Sequence, residues 1–133
     1  MIKHIPLALY VHIPWCERKC PYCDFNSHEN FDPSIENPYV DALLNDLDQQ
    51  LGWAADRELV SIFFGGGTPS LLSGNAIQRI LEGIQQRLRL AEHCEITLES
   101  NPGSAEARKY DAYRHAGVNR LSIGVQSFKE GHL

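Results

Sequence analysis

A chain of 133 residues, 43% apolar and 22% charged, has room for one domain with a real core and is too apolar for a disordered segment. Its net charge of −5 comes with no basic run and no Lys/Arg cluster interleaved with aromatics, which argues against a nucleic-acid surface. No apolar run reaches the ~18 residues that a membrane helix needs, so no transmembrane segment is expected.

The N-terminal stretch MIKHIPLALYVHIPW holds one Lys, no small-residue cleavage site, and two prolines, Pro6 and Pro14. It reads as a strand, not a signal peptide. Residues 7–13 (LALYVHI) are apolar and β-prone, and Pro14 ends them. Residues 14–37 are polar, follow neither a helical nor a strand period, and contain Cys16, Cys20 and Cys23. That pattern predicts a long functional loop. In PYVDALLNDLDQQLGW, Val40, Leu43, Leu44, Leu47 and Leu51 fall at helical spacing, with Asn37 as cap and Pro38 in the first turn.

Residues 59–64 (LVSIFF) predict a second buried strand, followed at once by GGGTPS. Ile77, Ile80, Leu81, Ile84 and Leu88 share one face of a second helix. Cys94 to Leu98 form a third strand. A third helix, capped by Ser104 and stopped by Gly117, carries Tyr110 and Tyr113 on a weaker stripe. Residues 120–125 (RLSIGV) are a fourth strand. The order β, loop, α, β, α, β, α, β implies a parallel sheet covered by helices, an α/β fold. Right-handed crossovers then advance the sheet in one direction or wind it both ways. There is no internal repeat and no low-complexity segment. The chain stops shortly after the fourth strand with nothing to cap a sheet edge, so the C-terminal part of a larger barrel is expected to be missing.

The chemistry concentrates in CERKCPYC, residues 16–23, a C-x3-C-x2-C pattern. With no secretory signal, cysteines crowded in this way suit a metal site in the reducing cytoplasm better than disulfides. Thiolates hold iron–sulfur clusters, and three of them leave one iron open to an exchangeable ligand. The competing reading is zinc, with the tetrahedron completed by Cys94, His12 or His28. Cys94 also reads as a small core residue.

Gly65-Gly66-Gly67-Thr68-Pro69 follows a strand at the end where parallel sheets bind ligands. The glycines let backbone approach a ligand, or simply make a flexible turn before a helix. A phosphate P-loop is excluded, because GxxxxGK[ST] is absent. Glu99 in TLESNPG and Gln126 in IGVQSF also end strands, so both face the rim that carries the cysteines and glycines. Either alone suits a solvated strand end. Together, a carboxylate and an amide fix hydroxyls and an ammonium group.

YVHIPWCERKCPYCDF, FFGGGTPSLL, ITLESNPG and GVNRLSIGVQSF run in order over residues 10–128. They resemble the motifs of the radical S-adenosylmethionine (SAM) superfamily, in its oxygen-independent coproporphyrinogen oxidase-like branch. The resemblance implies a partial (β/α) barrel of about six units, of which about the first four lie here. Residues 1–133 would then be the N-terminal part of the core domain, with the cluster loop at 14–37.

The resemblance also implies that Cys16, Cys20 and Cys23 hold a 4Fe–4S cluster whose open iron chelates SAM. One electron, from a donor such as a flavodoxin or ferredoxin, then cleaves SAM to methionine and a 5′-deoxyadenosyl radical. By position, Tyr10, Gly66 and Glu99 would contact that SAM, with Tyr22 close by. Gly67, Thr68 and Gln126 match contacts to a second SAM in the oxidase.

The branch holds an oxidase that decarboxylates two propionates of coproporphyrinogen III, and heme chaperones that bind heme and pass it on. Two features favour the chaperones. The oxidase motif continues to a fourth cysteine, where this chain has Phe25, and the oxidase has a long N-terminal extension, whereas Tyr10 lies nine residues from Met1. His4, His12 and His28 are candidate heme ligands. The family's heme motif would lie beyond Leu133.

Overall fold

The computed structural model describes residues 5–15, 33–54, 56–100 and 108–123. Cys16, Cys20, Tyr22, Cys23, Phe25, His28, Ser104 and Gln126 lie outside the described residues, as does His4. Four strands, β1 (Leu7–Ile13), β2 (Leu59–Gly66), β3 (Leu90–Ser100) and β4 (Arg120–Ile123), form one parallel sheet in the order β1-β2-β3-β4. Among the described residues three α-helices connect them: α1 (Glu36–Gln50), α2 (Gly74–Arg87) and α3 (Tyr110–Ala116). Each strand adds beside the one before it. Right-handed crossovers that all advance the same way put every helix on one face, and α1 packs on α2 and α2 on α3. The sheet is thus wound in one direction, as in a barrel wall, and it is not closed.

The helix-facing residues make the core. Val11, Ile13, Ile62, Phe64, Ile96 and Leu98 of the strands are buried together with Val40 of α1 and Ile77, Ile80, Leu81 and Ile84 of α2. The α1 and α2 helices approach closely at Gly83, where a Cβ would lie 2.5 Å from Leu44 Cδ2. α3 stops at Gly117, whose φ of +126° favours glycine.

Three boundaries differ from the sequence expectation. The loop ends before residue 37, because Pro33–Ile35 makes a 3-10 turn that runs into α1 at Glu36. Asn37 therefore lies inside the first turn and caps nothing; its Oδ1 accepts from Arg79 on α2 at 2.7 Å. Glu36 instead reaches across to α2, accepting from the Ser73 N–H at 2.7 Å and its hydroxyl at 2.8 Å, while Ser73 caps α2 through Ala76 N–H. Strand β3 starts at Leu90, not Cys94. Its partner register jumps from Leu59↔Leu90 to Ser61↔Glu95, so the extra residues of this stretch, Glu92 and His93 among them, are accommodated in a bulge.

Cys94 is buried on the helix side, and burial pushes its thiol pKa up, as befits a core residue. It sits near the level of Ala8 on β1, about 15–20 Å along the sheet from the end where the cysteine segment leaves.

Candidate functional site

Strand alternation sends every second side chain to the face opposite the helices, and register sorts these side chains into rows. The middle row is Tyr10, Phe63, Thr97 and Arg120. The row nearer the C-terminal ends of the strands is His12, Gly65, Glu99 and Ser122. Below them, Glu95 pairs with Arg120 at 3.4 Å.

Tyr10 stacks on Phe63, with ring centroids 6.1 Å apart and planes at 16°. Its hydroxyl lies 3.3 Å from His12 Nδ1. Burial and the Glu99 carboxylate both push the Tyr10 pKa up, so the phenol stays a protonated donor at neutral pH. The register sets the two on the same face of the sheet, on β1 and β3 and one row apart.

The glycines are required by their neighbours on this face. Gly66 has φ +109°, and a Cβ there would lie 2.6 Å from the Ile13 carbonyl oxygen and 2.8 Å from the His12 ring. A Cβ on Gly65 would lie 2.8 Å from Phe63 and 3.0 Å from Tyr10. The turn is therefore fitted to the aromatic row and is not a loose hinge. Its next two amides are already used. Gly67 N–H donates to Ile13 O at 2.7 Å and Thr68 N–H to Trp15 O at 2.6 Å, which extends the β1–β2 pairing past both strands. A ligand at Gly67 and Thr68 would meet carbonyl or side-chain atoms, not these N–H groups.

The segment after the glycines is pinned from α3. Tyr113, fully buried, donates to Ser70 O at 2.9 Å and Leu72 O at 2.6 Å, and Lys109 Nζ donates to Ser70 O at 2.7 Å. On the other side, Asn119 behaves as an added peptide unit. Its N–H donates to Ile96 O at 2.9 Å, its Oδ1 accepts from Ile96 N–H at 2.8 Å, and its Nδ2 donates to Cys94 O at 3.0 Å. This clamp sets Ser122 level with Glu99.

One element of the site is absent from the sequence reading. Tyr39, in the first turns of α1, donates its hydroxyl to the His12 carbonyl and sets its ring edge-on to Trp15, with centroids 4.7 Å apart and planes at 77°. Burial and the nearby Tyr10 hold its pKa well above the usual phenol range. The only sequence signal was an aromatic beside the apolar stripe, which does not say what it touches.

The structure thus sets Tyr10 and Glu99 on one face of the sheet, Tyr10 in the middle row and Glu99 in the row above it, with the Gly66 turn at the C-terminal end and Gly67 and Thr68 directly after. The cysteine segment departs from that end after Trp15, and residues 124–126 follow β4 from the same end. The donor set of that segment, three thiolates, fits an iron–sulfur cluster with one open iron better than a closed four-ligand zinc site. Among the described residues no group of three or more His, Cys, Asp or Glu would hold a metal, and no helix is long and apolar enough to cross a membrane.

A model of the Radical SAM superfamily matches residues 10–133. The heme chaperone HemW of Escherichia coli K12 is 57% identical over 133 residues, covering 100% of this chain and 35% of that protein. The mitochondrial radical S-adenosyl methionine domain-containing protein 1 of Mus musculus is 42% identical over 127 residues, covering 95% of this chain and 28% of that protein. The solved structure of coproporphyrinogen III oxidase (HemN) from Escherichia coli, a radical SAM enzyme, superposes with a TM-score of 0.79 at 34% identity, covering 91% of this chain and 28% of that one. The chain spans about a third of the length of the curated relatives it matches.

Proposed function

The chain belongs to the radical SAM superfamily, and from that premise we propose that it is the N-terminal part of a core domain that binds a 4Fe–4S cluster and SAM in a cytoplasmic, HemW-like heme chaperone. Cys16, Cys20 and Cys23 would hold the cluster. Tyr10, Tyr22, Gly66 and Glu99 would form the SAM site, and Gly67, Thr68 and Gln126 match positions that contact a second SAM in the oxidase. The observation that supports the reading is that Tyr10 and Glu99 share the face of the sheet opposite the helices, and that the Gly66 turn lies at the sheet end from which the cysteine segment departs.

When bound, the cluster supplies one electron, received from a flavodoxin- or ferredoxin-type donor, for reductive cleavage of SAM. The chain's own residues bind and orient. Glu99 offers a carboxylate to ligand hydroxyls or an ammonium, and Tyr10 keeps its proton and so donates. Gly66 lets the turn pack against the Ile13 carbonyl and the His12 ring, where a Cβ would not fit, and Phe63 stacks on one face of Tyr10.

Two observations favour the chaperone over the oxidase: Phe25 in place of a fourth cysteine, and 57% identity to HemW against 34% to HemN. Anaerobic assay of the full-length protein distinguishes them. The chaperone reading predicts stoichiometric heme uptake, followed by absorbance, and no protoporphyrinogen from coproporphyrinogen III with SAM and a reductant. Product formation would move the assignment to the oxidase.

A further inference from the structure

We propose that Tyr39 is a positioning residue for the cluster, acting through the last residues of β1 on the first cysteine; this rests on the cluster reading above. The chain leaves β1 through Trp15, directly before Cys16, and returns at Pro33, three residues before α1. Tyr39 sits one turn into α1 and grips both faces of the exit. Its hydroxyl bonds the His12 carbonyl and its ring packs edge-on to Trp15.

The rest of the exit is held from β2. The Ile13 and Trp15 carbonyls accept from Gly67 and Thr68 N–H. Carbonyls alternate in direction along a strand, so the His12 carbonyl points away from β2, toward the outer edge of β1. Tyr39 supplies the donor on that side. The exit is thus fixed from two elements, β2 on one side and α1 on the other. Since α1 also carries the returning chain, one side chain ties the two ends of the cysteine segment together.

Cys16 lies one residue, about 3.8 Å, beyond Trp15. Freedom gained by Trp15 therefore passes directly to the first thiolate. The ring and the hydroxyl are separable: Tyr39→Phe keeps the edge-on packing and removes only the bond to His12. A hydrogen bond of ordinary worth sets the scale at about five-fold.

The test uses the full-length protein, reconstituted anaerobically with iron and sulfide. Iron loss to a chelator is timed, and the electron paramagnetic resonance spectrum of the reduced cluster is recorded. Tyr39→Phe is compared with wild type and with Ile84→Val, which removes one buried methyl group in the last turn of α2, at the opposite end of the sheet from the exit. The proposal expects Tyr39→Phe to lose iron about five-fold faster and to broaden the spectrum, while Ile84→Val, with a comparable fall in melting temperature, keeps the wild-type rate and spectrum. Wild-type behaviour in Tyr39→Phe, or equal acceleration in Ile84→Val, would overturn it and leave the cluster assignment standing. A wild-type protein that takes up no iron would overturn the cluster assignment itself.

Discussion

Replacing Gly66 by Ala tests the site geometry at one atom. The new Cβ would sit 2.6 Å from the Ile13 carbonyl oxygen and 2.8 Å from His12 Cε1 and Nδ1, on a backbone with φ +109°. The carbonyl cannot yield, because it already accepts from Gly67 N–H at 2.7 Å. A non-glycine residue in such a conformation costs about 1–3 kcal/mol, and forced overpacking adds about 1–3 kcal/mol. The sum, roughly 2–6 kcal/mol, is a large share of an ordinary domain's stability. With a urea m-value of ~2 kcal/mol/M, the midpoint should fall by ~1–3 M. Gly52→Ala is the control, since a Cβ there meets nothing within 4 Å and φ is not in the left-handed region; it should be neutral or stabilise by up to ~1 kcal/mol. Equilibrium unfolding of both variants, beside SAM binding, measures this. A Gly66→Ala protein within ~0.5 kcal/mol of wild type, or one that loses no more than Gly52→Ala, would refute the tight turn described above.

Asn119→Ala should cost about 1–3 kcal/mol, because it strips two side-chain bonds from β3 and leaves the buried-strand amide of Ile96 unpaired; faster hydrogen exchange at Ile96 checks it. Glu99→Ala should weaken SAM binding by roughly 10–150-fold, read as loss of the SAM-induced change in the spectrum of the reduced cluster, from ~1.5–3 kcal/mol of charge-assisted contact. Alkaline titration followed by phenolate absorbance should show Tyr39 and Tyr10 ionising above the usual phenol range. Their folded pKa values lie above the unfolded value near 10, so the stability they contribute is complete below ~pH 10 and is lost as pH rises beyond it.

Much of this was legible in sequence for identifiable reasons. LALYVHI and LVSIFF are uninterrupted β-prone runs ended by Pro14 and a glycine turn, so β1 and β2 start as expected. Gly117 ends a helix because no other residue suits its backbone as well. The misses are tertiary. Asn37 has the chemistry of a cap, but Glu36 is drawn to Ser73 and Asn37 to Arg79, contacts across 37 and 42 residues of chain. The polar start of β3 pairs only through a bulge. The triple glycine suggested open backbone, yet the Gly67 and Thr68 amides are spent on β1. Tyr39 was invisible because its partners are a carbonyl and a ring on another element.

The central claim is a three-thiolate iron–sulfur cluster at the C-terminal end of this sheet. Anaerobic reconstitution of the full-length protein, with metal analysis of wild type and of single Cys→Ala variants, tests it most directly. The account predicts about four irons per chain, a SAM-sensitive spectrum, loss of the cluster in Cys16→Ala, Cys20→Ala and Cys23→Ala, and retention in Cys94→Ala. Stoichiometric zinc without iron, or a cluster that depends on Cys94, would contradict it.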